Sequence, residues 1–423
     1  MTQPYYEIYT KDSDGKRGGL VQEWTAVQLI LRRNDESKWT LSGMGLRPCP
    51  FKRGTGIVVF RDGDVILSGL ASSIEAQYTA ATELWSWTVT GIDDIGLLAR
   101  RVIYPDPTNS DPSVAGAVPY TVTAKLETAV TKLIRVNAQS GHALNDRPVP
   151  NLTTAESQGA GDEVTLSATF NELLEFILTA LNDSNLVIRE SWKPSTGAFE
   201  LHVEAAEDRS ATVVFSTDNG TLAAWKHKQK APEANVIICR GMDITPEAET
   251  TTDETTTAET ATDETTTTEE TETPTIYQWA VAEDTESIAK WGRIEKYVER
   301  SDIVTIKDEE AGTEETPEEV LARLQKAAAE ELLNAEGMES WTLTVTPTDM
   351  TAWRSAWNLG DTVGFVADGE KMTAQIKEVK VSYSDAVETV TPTIGTIERG
   401  ELGEIFDTLG QLKRRIRVQE SKQ

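Results

Sequence analysis

Two Asp-Gly pairs, each set between runs of alternating polar and apolar residues, constrain this chain more than any other feature. One lies at Asp62-Gly63 within residues 57–69, and the other at Asp368-Gly369 within residues 362–381. Asp-Gly accepts the backbone angles of a tight turn, so both stretches predict antiparallel hairpins. We interpret the later hairpin as the closing sheet of a small β-barrel that has a partner near the N-terminus.

The first hundred residues predict further short strands. Apolar, β-branched and aromatic runs recur from residue 5 to residue 91, and glycine-rich turns separate them. This pattern favours a barrel or a sandwich. Residues 93–100 predict a short helix capped by Asp93 or Asp94.

After a loop at residues 104–119 the pattern changes to a mixed α+β segment. Apolar residues at helical spacing predict helices over residues 123–136 and 170–181, the second capped by Ser167 or Thr169. A hairpin is predicted for residues 186–205, with its turn at residues 193–197.

Residues 246–275 consist almost entirely of Thr, Glu, Asp and Ala. They hold ten acidic residues and no Lys or Arg, and their removal would change the net charge from −29 to about −19. Such a segment cannot bury enough apolar surface to order itself, so a disordered surface loop is predicted. A binding tail for a basic partner is the alternative.

Two helices are predicted in the last third of the chain. Thr316-Pro317-Glu318-Glu319 is a capping box that opens a helix over residues 317–336, which Gly337 ends. Residues 399–423 predict a C-terminal helix with about two heptads and a basic end at Lys413, Arg414, Arg415 and Arg417. That helix could pack on other copies, on another subunit or on its own domain.

Length and charge restrict the class of protein. A chain of 423 residues exceeds one core, so we expect two to four domains. A net charge of −29 disfavours nucleic acid and anionic membranes as direct partners. The N-terminus lacks the apolar run of a signal peptide, and no stretch is apolar enough to span a bilayer, so we expect synthesis and folding in a cytoplasm.

The sequence offers no recognisable catalytic or metal-binding motif. His142, His202 and His227 lie far apart, and Cys49 and Cys239 form no spaced set of metal ligands. We therefore predict no catalytic, cofactor-binding or metal-binding residue, no cofactor and no enzyme activity. A carboxylate pair for glycoside cleavage stays open, because acidic residues are plentiful.

Tryptophan is frequent, with 11 residues. Trp85 and Trp87 would share one face of a strand, and Trp353 and Trp357 would be neighbours on a helix. Core packing is the default interpretation, with sugar binding or subunit interfaces as alternatives.

Several segments in order resemble the tail-hub, or minor tail, proteins of long-tailed, siphovirus-type bacteriophages, which are similar to baseplate hub proteins. Over roughly residues 20 to 397, the matching motifs are Val59-Phe60-Arg61-Asp62-Gly63 with Leu67-Ser68-Gly69, Val89-Thr90-Gly91-Ile92-Asp93-Asp94 with the helix up to Arg101 and the later Pro105 and Pro107, Ala234-Asn235-Val236-Ile237-Ile238, and Leu359-Gly360-Asp361-Thr362-Val363.

The resemblance implies a β-rich α+β, multidomain fold, in which two tube-type β-barrel domains flank mixed α+β inserted domains and a short C-terminal helix follows. The expected parts are a tube-like barrel at 1–103, inserted α+β domains at 104–245, the acidic loop at 246–275, a second tube-like barrel at 276–398 with the helix 317–336, and the C-terminal helix at 399–423. The short C-terminal region leads us to expect no fused hydrolase or receptor-binding domain.

The resemblance also implies a role. Three copies, a homotrimer, would place six barrels in a ring that adapts the sixfold tail tube to a threefold tip, in tail assembly, host attachment and genome delivery. The implied partners are the distal tail protein, the tape-measure protein and tail fibres or a spike, and DNA would pass through the lumen without specific binding. The implied location is the virion tail tip. A virion-associated carbohydrate-binding or glycan-cleaving protein is the alternative, and a secreted bacterial scaffold is disfavoured by the missing signal peptide.

Overall fold

The structure is a computed structural model that describes residues 4–115, 119–139, 144, 147–182, 184–244, 276–305, 307–308, 313–346, 348 and 351–395. Its strands are β1 (Tyr6–Lys11), β2 (Arg17–Leu20), β3 (Trp24–Arg32), β4 (Lys38–Gly45), β5 (Gly56–Arg61), β6 (Asp64–Thr79), β7 (Leu84–Asp93), β8 (Tyr120–Lys125), β9 (Leu152–Thr154), β10 (Glu163–Ala168), β11 (Leu186–Trp192), β12 (Phe199–Ala205), β13 (Val214–Phe215), β14 (Leu222–Lys230), β15 (Val236–Asp243), β16 (Tyr277–Glu283), β17 (Glu295–Glu299), β18 (Lys307–Asp308), β19 (Thr313–Glu314), β20 (Met338–Val345), β21 (Thr362–Ala367), β22 (Glu370–Ser384) and β23 (Val387–Gly395). The helices are α1 (Pro112–Ala115), α2 (Leu126–Ala138), α3 (Leu173–Asn182), α4 (Thr285–Trp291) and α5 (Pro317–Asn334), with a 3-10 helix at Ile95–Arg100.

The chain divides into two compact units. The first unit comprises residues 1–227 and 340–423, and the second unit comprises residues 228–339. The first unit thus combines the early strands with the last strands of the chain. The domain boundaries expected from the sequence remain predictions.

A 13-stranded sheet dominates the first unit. Its hydrogen-bonded order is β14-β20-β23-β22-β3-β4-β7-β6-β5-β1-β2, with β21 on β22 and β13 on β21. The β-rich character predicted from the sequence is confirmed. In the described residues no sheet closes on itself, so the two closed barrels expected from the sequence are not found there, and the strands form one open sheet instead.

The early and late strands meet through β3 and β22. These strands pair antiparallel from Ala26 opposite Ser384 to Arg32 opposite Glu378, and Arg32 Nε donates to Glu378 Oε2 at 2.9 Å. The later hairpin therefore does have a partner near the N-terminus, as the sequence analysis proposed.

Both predicted Asp-Gly turns are present. β5 pairs with β6 around Asp62-Gly63, and β21 pairs with β22 around Asp368-Gly369. All four turn residues have positive φ, between 53° and 91°. Asp and Gly tolerate this conformation better than other residues, which explains why these dipeptides stand at these turns.

The core of the first unit draws on both ends of the chain. Leu29, Trp39 and Leu41 come from the early strands, and Val363, Phe365 and Val379 come from the late ones. All are at most 1% exposed, and burial of each such side chain contributes about 1.5–3 kcal/mol. The alternation predicted for β21 is confirmed, because Val363, Phe365 and Ala367 face this core.

A second core lies in the mixed α+β segment. α2 and α3 pack there with two sheets, one formed by β8 and β10 and the other by β9, β12 and β11. The buried residues of the two helices include Val130, Leu133, Ile177 and Leu181. The predicted hairpin at 186–205 is confirmed.

The predicted starts of both helices were wrong by about three residues. Residues 123–125 belong to strand β8, because they pair with β10, and α2 begins at Leu126. Phe170 has a φ of 55°, which excludes it from a right-handed helix, so α3 begins at Leu173.

Two other local predictions needed correction. The helix predicted at 93–100 is a 3-10 helix from Ile95, with Asp94 at the N-cap position. The side-chain hydrogen bond to its first turn comes from Asp93, whose Oδ1 accepts from Gly96 N at 3.0 Å. Trp353 and Trp357 do not lie on a helix. They form an isolated bridge and are both buried in the first core.

The second unit has a three-stranded sheet covered by one helix. β15 lies between antiparallel β16 and parallel β17. Ile237, Cys239 and Ala280 pack against Leu324 and Ala328 of α5. The predicted capping box is confirmed, because Thr316 and Glu319 exchange hydrogen bonds at the start of α5.

Three predictions fall on residues outside the described ones. These are the acidic loop at 246–275, the C-terminal helix at 399–423 and the position of His142.

We predict that Glu388→Ala destabilises the first unit. Glu388 accepts two hydrogen bonds from Arg61, at 2.7 and 2.9 Å, and one from the buried hydroxyl of Tyr6. The substitution leaves these donors without that acceptor, so we expect a loss of about 2–3 kcal/mol in the free energy of unfolding, measured by urea denaturation.

The matched control is Glu204→Ala, which removes a carboxylate that pairs with Arg189 and is 48% exposed. Solvent screens that pair, so its loss should cost less than about 1 kcal/mol. Equal losses in the two variants would contradict the role of Glu388.

Candidate functional site

A buried ion pair joins the first strand to the end of β7. Lys11 Nζ lies 2.5 Å from both carboxylate oxygens of Asp94, and the two side chains are 3% and 1% exposed. Ser68 Oγ also donates to Asp94. Water cannot reach the buried carboxylate, so the ammonium of Lys11 compensates its negative charge. This pairing offsets the cost of burying the two charges.

A second carboxyl group, Glu190 of β11, completes this cluster from the α+β segment. Its Oε1 accepts from Ser68 N at 3.3 Å, and its Oε2 accepts from Asp94 N at 3.1 Å. Burial raises the pKa of Glu190 well above its ordinary value, and the nearby Asp94 and Asp93 raise it further, while Lys11 opposes them.

Asp93 is the third carboxyl group in this region. Its oxygens accept from Ser37 N and Gly96 N, both at 3.0 Å. Burial raises the pKa of Asp93 from 3.8 to about 7, against the lowering effect of the hydrogen bonds from Ser37 and Gly96.

A cavity of about 320 Å³ lies beside this cluster and is lined by Lys11, Asp94, Arg101 and Phe199 among others. The size fits a small ligand. However, Lys11 is paired with Asp94, and Arg101 donates to the carbonyl oxygens of Arg147, Arg100 and Pro148. These charged groups make contacts that stabilise the fold. The cluster is therefore best explained as a set of hydrogen bonds and an ion pair that hold β1, β6, the start of the 3-10 helix and β11 together.

The histidines and cysteines that the structure describes stand in unrelated environments. His202 on β12 lies 3.8 Å from Glu204, and the exposed His227 stacks on Trp341 at 3.9 Å between ring centroids. Cys49 is half-buried, and Cys239 lies in the core of the second unit. Among the described residues, no three His, Cys, Asp or Glu side chains lie together in a way that could hold a metal ion.

The tryptophans singled out in the sequence are mostly core residues. Trp87, Trp353 and Trp357 are at most 4% exposed, and the half-buried Trp85 packs on Tyr78. Core packing is therefore the role of the first three, and they offer no surface to a sugar.

The sequence analysis missed an apolar surface on the second unit. One face of its three-stranded sheet covers α5, and the other carries aromatic and aliphatic side chains that are exposed or half-buried. We call this second surface the aromatic face, and its residues are Ile238, Arg240, Tyr277, Trp279, Val281 and Tyr297. In the sequence, Tyr277, Trp279 and Val281 alternate with Gln278 and Ala280. This alternation places three large apolar side chains on one face of the strand and could have revealed the aromatic face.

Membership of a family follows from comparison with known proteins. Residues 5–396 match the Siphovirus ReqiPepy6 Gp37-like protein family. The chain belongs to this family. No match was found among curated proteins.

Two solved structures share the fold. The 43 kDa tail protein of prophage MuSo2 from Shewanella oneidensis has 13% sequence identity and a TM-score of 0.51, with 92% of this chain and 98% of that chain covered. The tail protein from Neisseria meningitidis MC58 has 13% identity and a TM-score of 0.50, with 92% and 96% covered.

The family and the fold confirm the resemblance to siphovirus tail proteins that the sequence motifs indicated. As a member of this family, the chain is a structural, virion-associated component that assembles with other tail proteins. No helix in the described parts of the chain has both the length and the apolar character needed to cross a bilayer.

We predict that Lys11→Met strongly destabilises the first unit, because it leaves the Asp94 carboxylate buried without its cation. The expected loss is about 3–5 kcal/mol in the free energy of unfolding, followed by tryptophan fluorescence in urea. Lys193→Met is the control, since Lys193 is 46% exposed in its pair with Glu200.

The double variant Lys11→Met with Asp94→Asn should recover part of this loss, because no charge is then left unpaired. A Lys11→Met protein as stable as the Lys193→Met control would rule out this role for the ion pair.

We predict that Asp93 makes stability depend on pH. The pKa of Asp93 is about 7 in the folded state and 3.8 ordinarily. Between these two pH values the folded state therefore keeps a proton that the unfolded state has released. The stability from this proton is complete below pH 3.8 and is lost as the pH rises through about 7. Asp93→Asn removes the titration, so the stability of this variant relative to wild type should increase between pH 5 and pH 8.

Chemical denaturation at the two pH values measures this difference. Asp368→Asn, which removes a carboxyl group from an exposed turn, is the comparison variant. A stability difference for Asp93→Asn that does not change with pH would show that Asp93 titrates as an ordinary carboxyl group.

Proposed function

We propose that this chain is a structural hub of the phage tail tip, which adapts the sixfold tail tube to a threefold tip. The observation that supports this most is the pairing of β3 with β22, which brings the early and late β-regions side by side in one sheet. Two regions of similar role within one chain let three copies supply six positions around an axis.

In this proposal, the early strands within residues 1–103 and the late strands within residues 340–395 form the two tube-type regions of each copy, and residues 276–339 belong to the second unit instead. Closure of their strands into rings would then occur between copies of a homotrimer. An open sheet with edge strands β14 and β2 supports this, because unpaired edges are templates for pairing with another chain.

The partners in this role are the distal tail protein above the ring, the tape-measure protein in the lumen and fibres or a spike below. The role includes tail assembly, host attachment and genome delivery. The net charge of −29 suits passage of DNA without binding, because an acidic lumen repels phosphates. The proposal assigns no catalytic step to the chain.

Glycan recognition is the second candidate function. Exposed tryptophan and tyrosine on the aromatic face favour it, since amphipathic rings are common in binding surfaces. Binding of oligosaccharides, or release of reducing sugar by the purified chain, would support this candidate.

We expect that imaging of intact virions by electron cryomicroscopy finds this chain at the tail tip in three copies around the tail axis. Labelling of the chain with a fused tag identifies its density, and the same tag on the major tube protein is the control. A position along the tube shaft, or six copies in each ring, would contradict the hub.

A further inference from the structure

The far half of β6 has a backbone edge that no neighbouring strand covers. β6 and β7 stay paired to the end of their hairpin, where Thr79 lies opposite Leu84. On its other side, β6 is covered by β5 only as far as Leu70, which lies opposite Gly56. Among the described residues, no strand pairs with residues 73–79 on that side. We call residues 73–79 the free edge of β6.

The local geometry explains why this edge is uncovered. A turn precedes β5, in which Thr55 N donates to the carbonyl oxygen of Lys52 at 3.0 Å, so the chain turns away before it could follow β6 further. The pairing of β6 with β7 shifts register between Ala71 and Ser73, and such a bulge bends a strand. Beyond this bulge, every residue of the free edge except Ile74 is exposed.

The free edge lacks the features that protect an exposed strand from pairing. Natural edge strands are kept short, or they carry lysine, proline or inward-pointing charges. Residues 72–79 read Ser-Ser-Ile-Glu-Ala-Gln-Tyr-Thr, with Glu75 as the one charged residue and no proline. An unprotected edge of this length is a template for a strand from another molecule.

The side chains of the free edge define which strand would fit. Ile74, Ala76 and Tyr78 share one face, and the ring of Tyr78 lies 5.1 Å from that of Trp85 on β7. Ala76 is the small residue between two large ones, and Glu75 points to the other face. A fitting strand therefore places a large side chain beside Ala76 and a cation beside Glu75, because cross-strand pairs of this kind stabilise a sheet.

β14 of a second copy meets both requirements. It is the last strand at one end of the large sheet, so its outer side also has no partner strand in the described part of the chain. Its residues as far as His227 belong to the first unit. Trp225 is 40% exposed and Lys226 is exposed as well, and as consecutive strand residues they point to opposite faces.

One antiparallel register aligns large with small residues and acid with base. Its central pairs are Glu75 with Lys226, Ala76 with Trp225, Gln77 with Ala224 and Tyr78 with Ala223. In this register the rings of Trp225 and Tyr78 each face an alanine. A parallel alignment with Trp225 beside Ala76 would place Glu75 opposite an alanine and lose the charge pair.

The charges of the two strands also suit contact between copies of an acidic chain. Copies that each carry a net charge of −29 repel one another, so a contact between them needs cations placed locally. β14 holds Lys226, Lys228 and Lys230 and no acidic residue. The free edge contributes the single carboxylate of Glu75, so the two strands attract each other where they would meet.

We propose that the free edge of β6 in one copy receives β14 of the next copy as an additional antiparallel strand, in the register that pairs Glu75 with Lys226. Main-chain hydrogen bonds would form the contact, and the side-chain pairs would set its register. The contact is head-to-tail, so its repetition around an axis closes a ring. This inference rests on the proposed function for the number of copies, and it adds which strands and residues meet.

The first experiment identifies the neighbour of the free edge in assembled virions. Photoreactive benzoylphenylalanine replaces the exposed Gln77, or Glu330 on the exposed side of α5 as control. A denaturing gel separates links between two chains from links within one, and mass spectrometry identifies the linked peptide. We expect position 77 to link to residues 222–227 of another copy and position 330 to give no such link.

Four results of this experiment would overturn the proposal. These are a link from position 77 to a different virion protein, a link to β6 of another copy, a link within one chain, and no link at position 77.

The second experiment reverses the charges of the proposed pair. Glu75→Lys and Lys226→Glu each place like charges opposite one another, and each should lower the yield of assembled tails about tenfold. The double variant restores opposite charges and should recover most of the yield. Glu330→Lys makes the same change in net charge on α5 and should assemble as wild type does. Circular dichroism of the purified chains verifies that each variant keeps the fold.

Equal yields from Glu75→Lys and Glu330→Lys, or a double variant no better than the poorer single variant, would also rule out this pairing. Imaging tests the number of copies separately. Three copies at the tail tip without a link from position 77 to residues 222–227 would leave the hub in place and remove only this contact.

Discussion

The antiparallel pairing of β3 with β22 is the constraint on which the rest of the fold depends. It joins Arg32 to Glu378, 346 residues apart in the sequence. Because the two strands share one core, the segments between them must leave the sheet and return to it. A contact of this range costs loop-closure entropy before burial offsets it, so we expect slow folding.

Features that one short segment determines were predictable from the sequence. The turns at Asp62-Gly63 and Asp368-Gly369 need positive φ, and few residue pairs other than Asp-Gly meet that need. The capping box at Thr316 likewise depends on contacts within one helical turn. The resemblance to tail proteins rested on such local motifs in their order along the chain, which is why the family could be recognised before the pairing of the strands.

Features that depend on distant residues could not be predicted. Residues 123–125 have the spacing of the helix that follows, and only their pairing with β10 makes them a strand. Lys11, Asp94 and Glu190 look like surface residues in their own segments. They become one buried cluster because three elements far apart in the chain meet there, where Lys11 and Asp94 compensate each other's charge and Glu190 accepts a hydrogen bond from Asp94 N.

Aromatic residues have different roles in the two units because their side chains are buried in the first unit and exposed on one face of the sheet in the second unit. Trp39, Trp357 and Phe365 are buried in the first unit, where their contacts stabilise the fold. Trp279 and Tyr297 lie on a sheet that has a helix on one face only, so water reaches them and they add little to folding. Exposed rings in such a place favour aggregation unless another surface covers them.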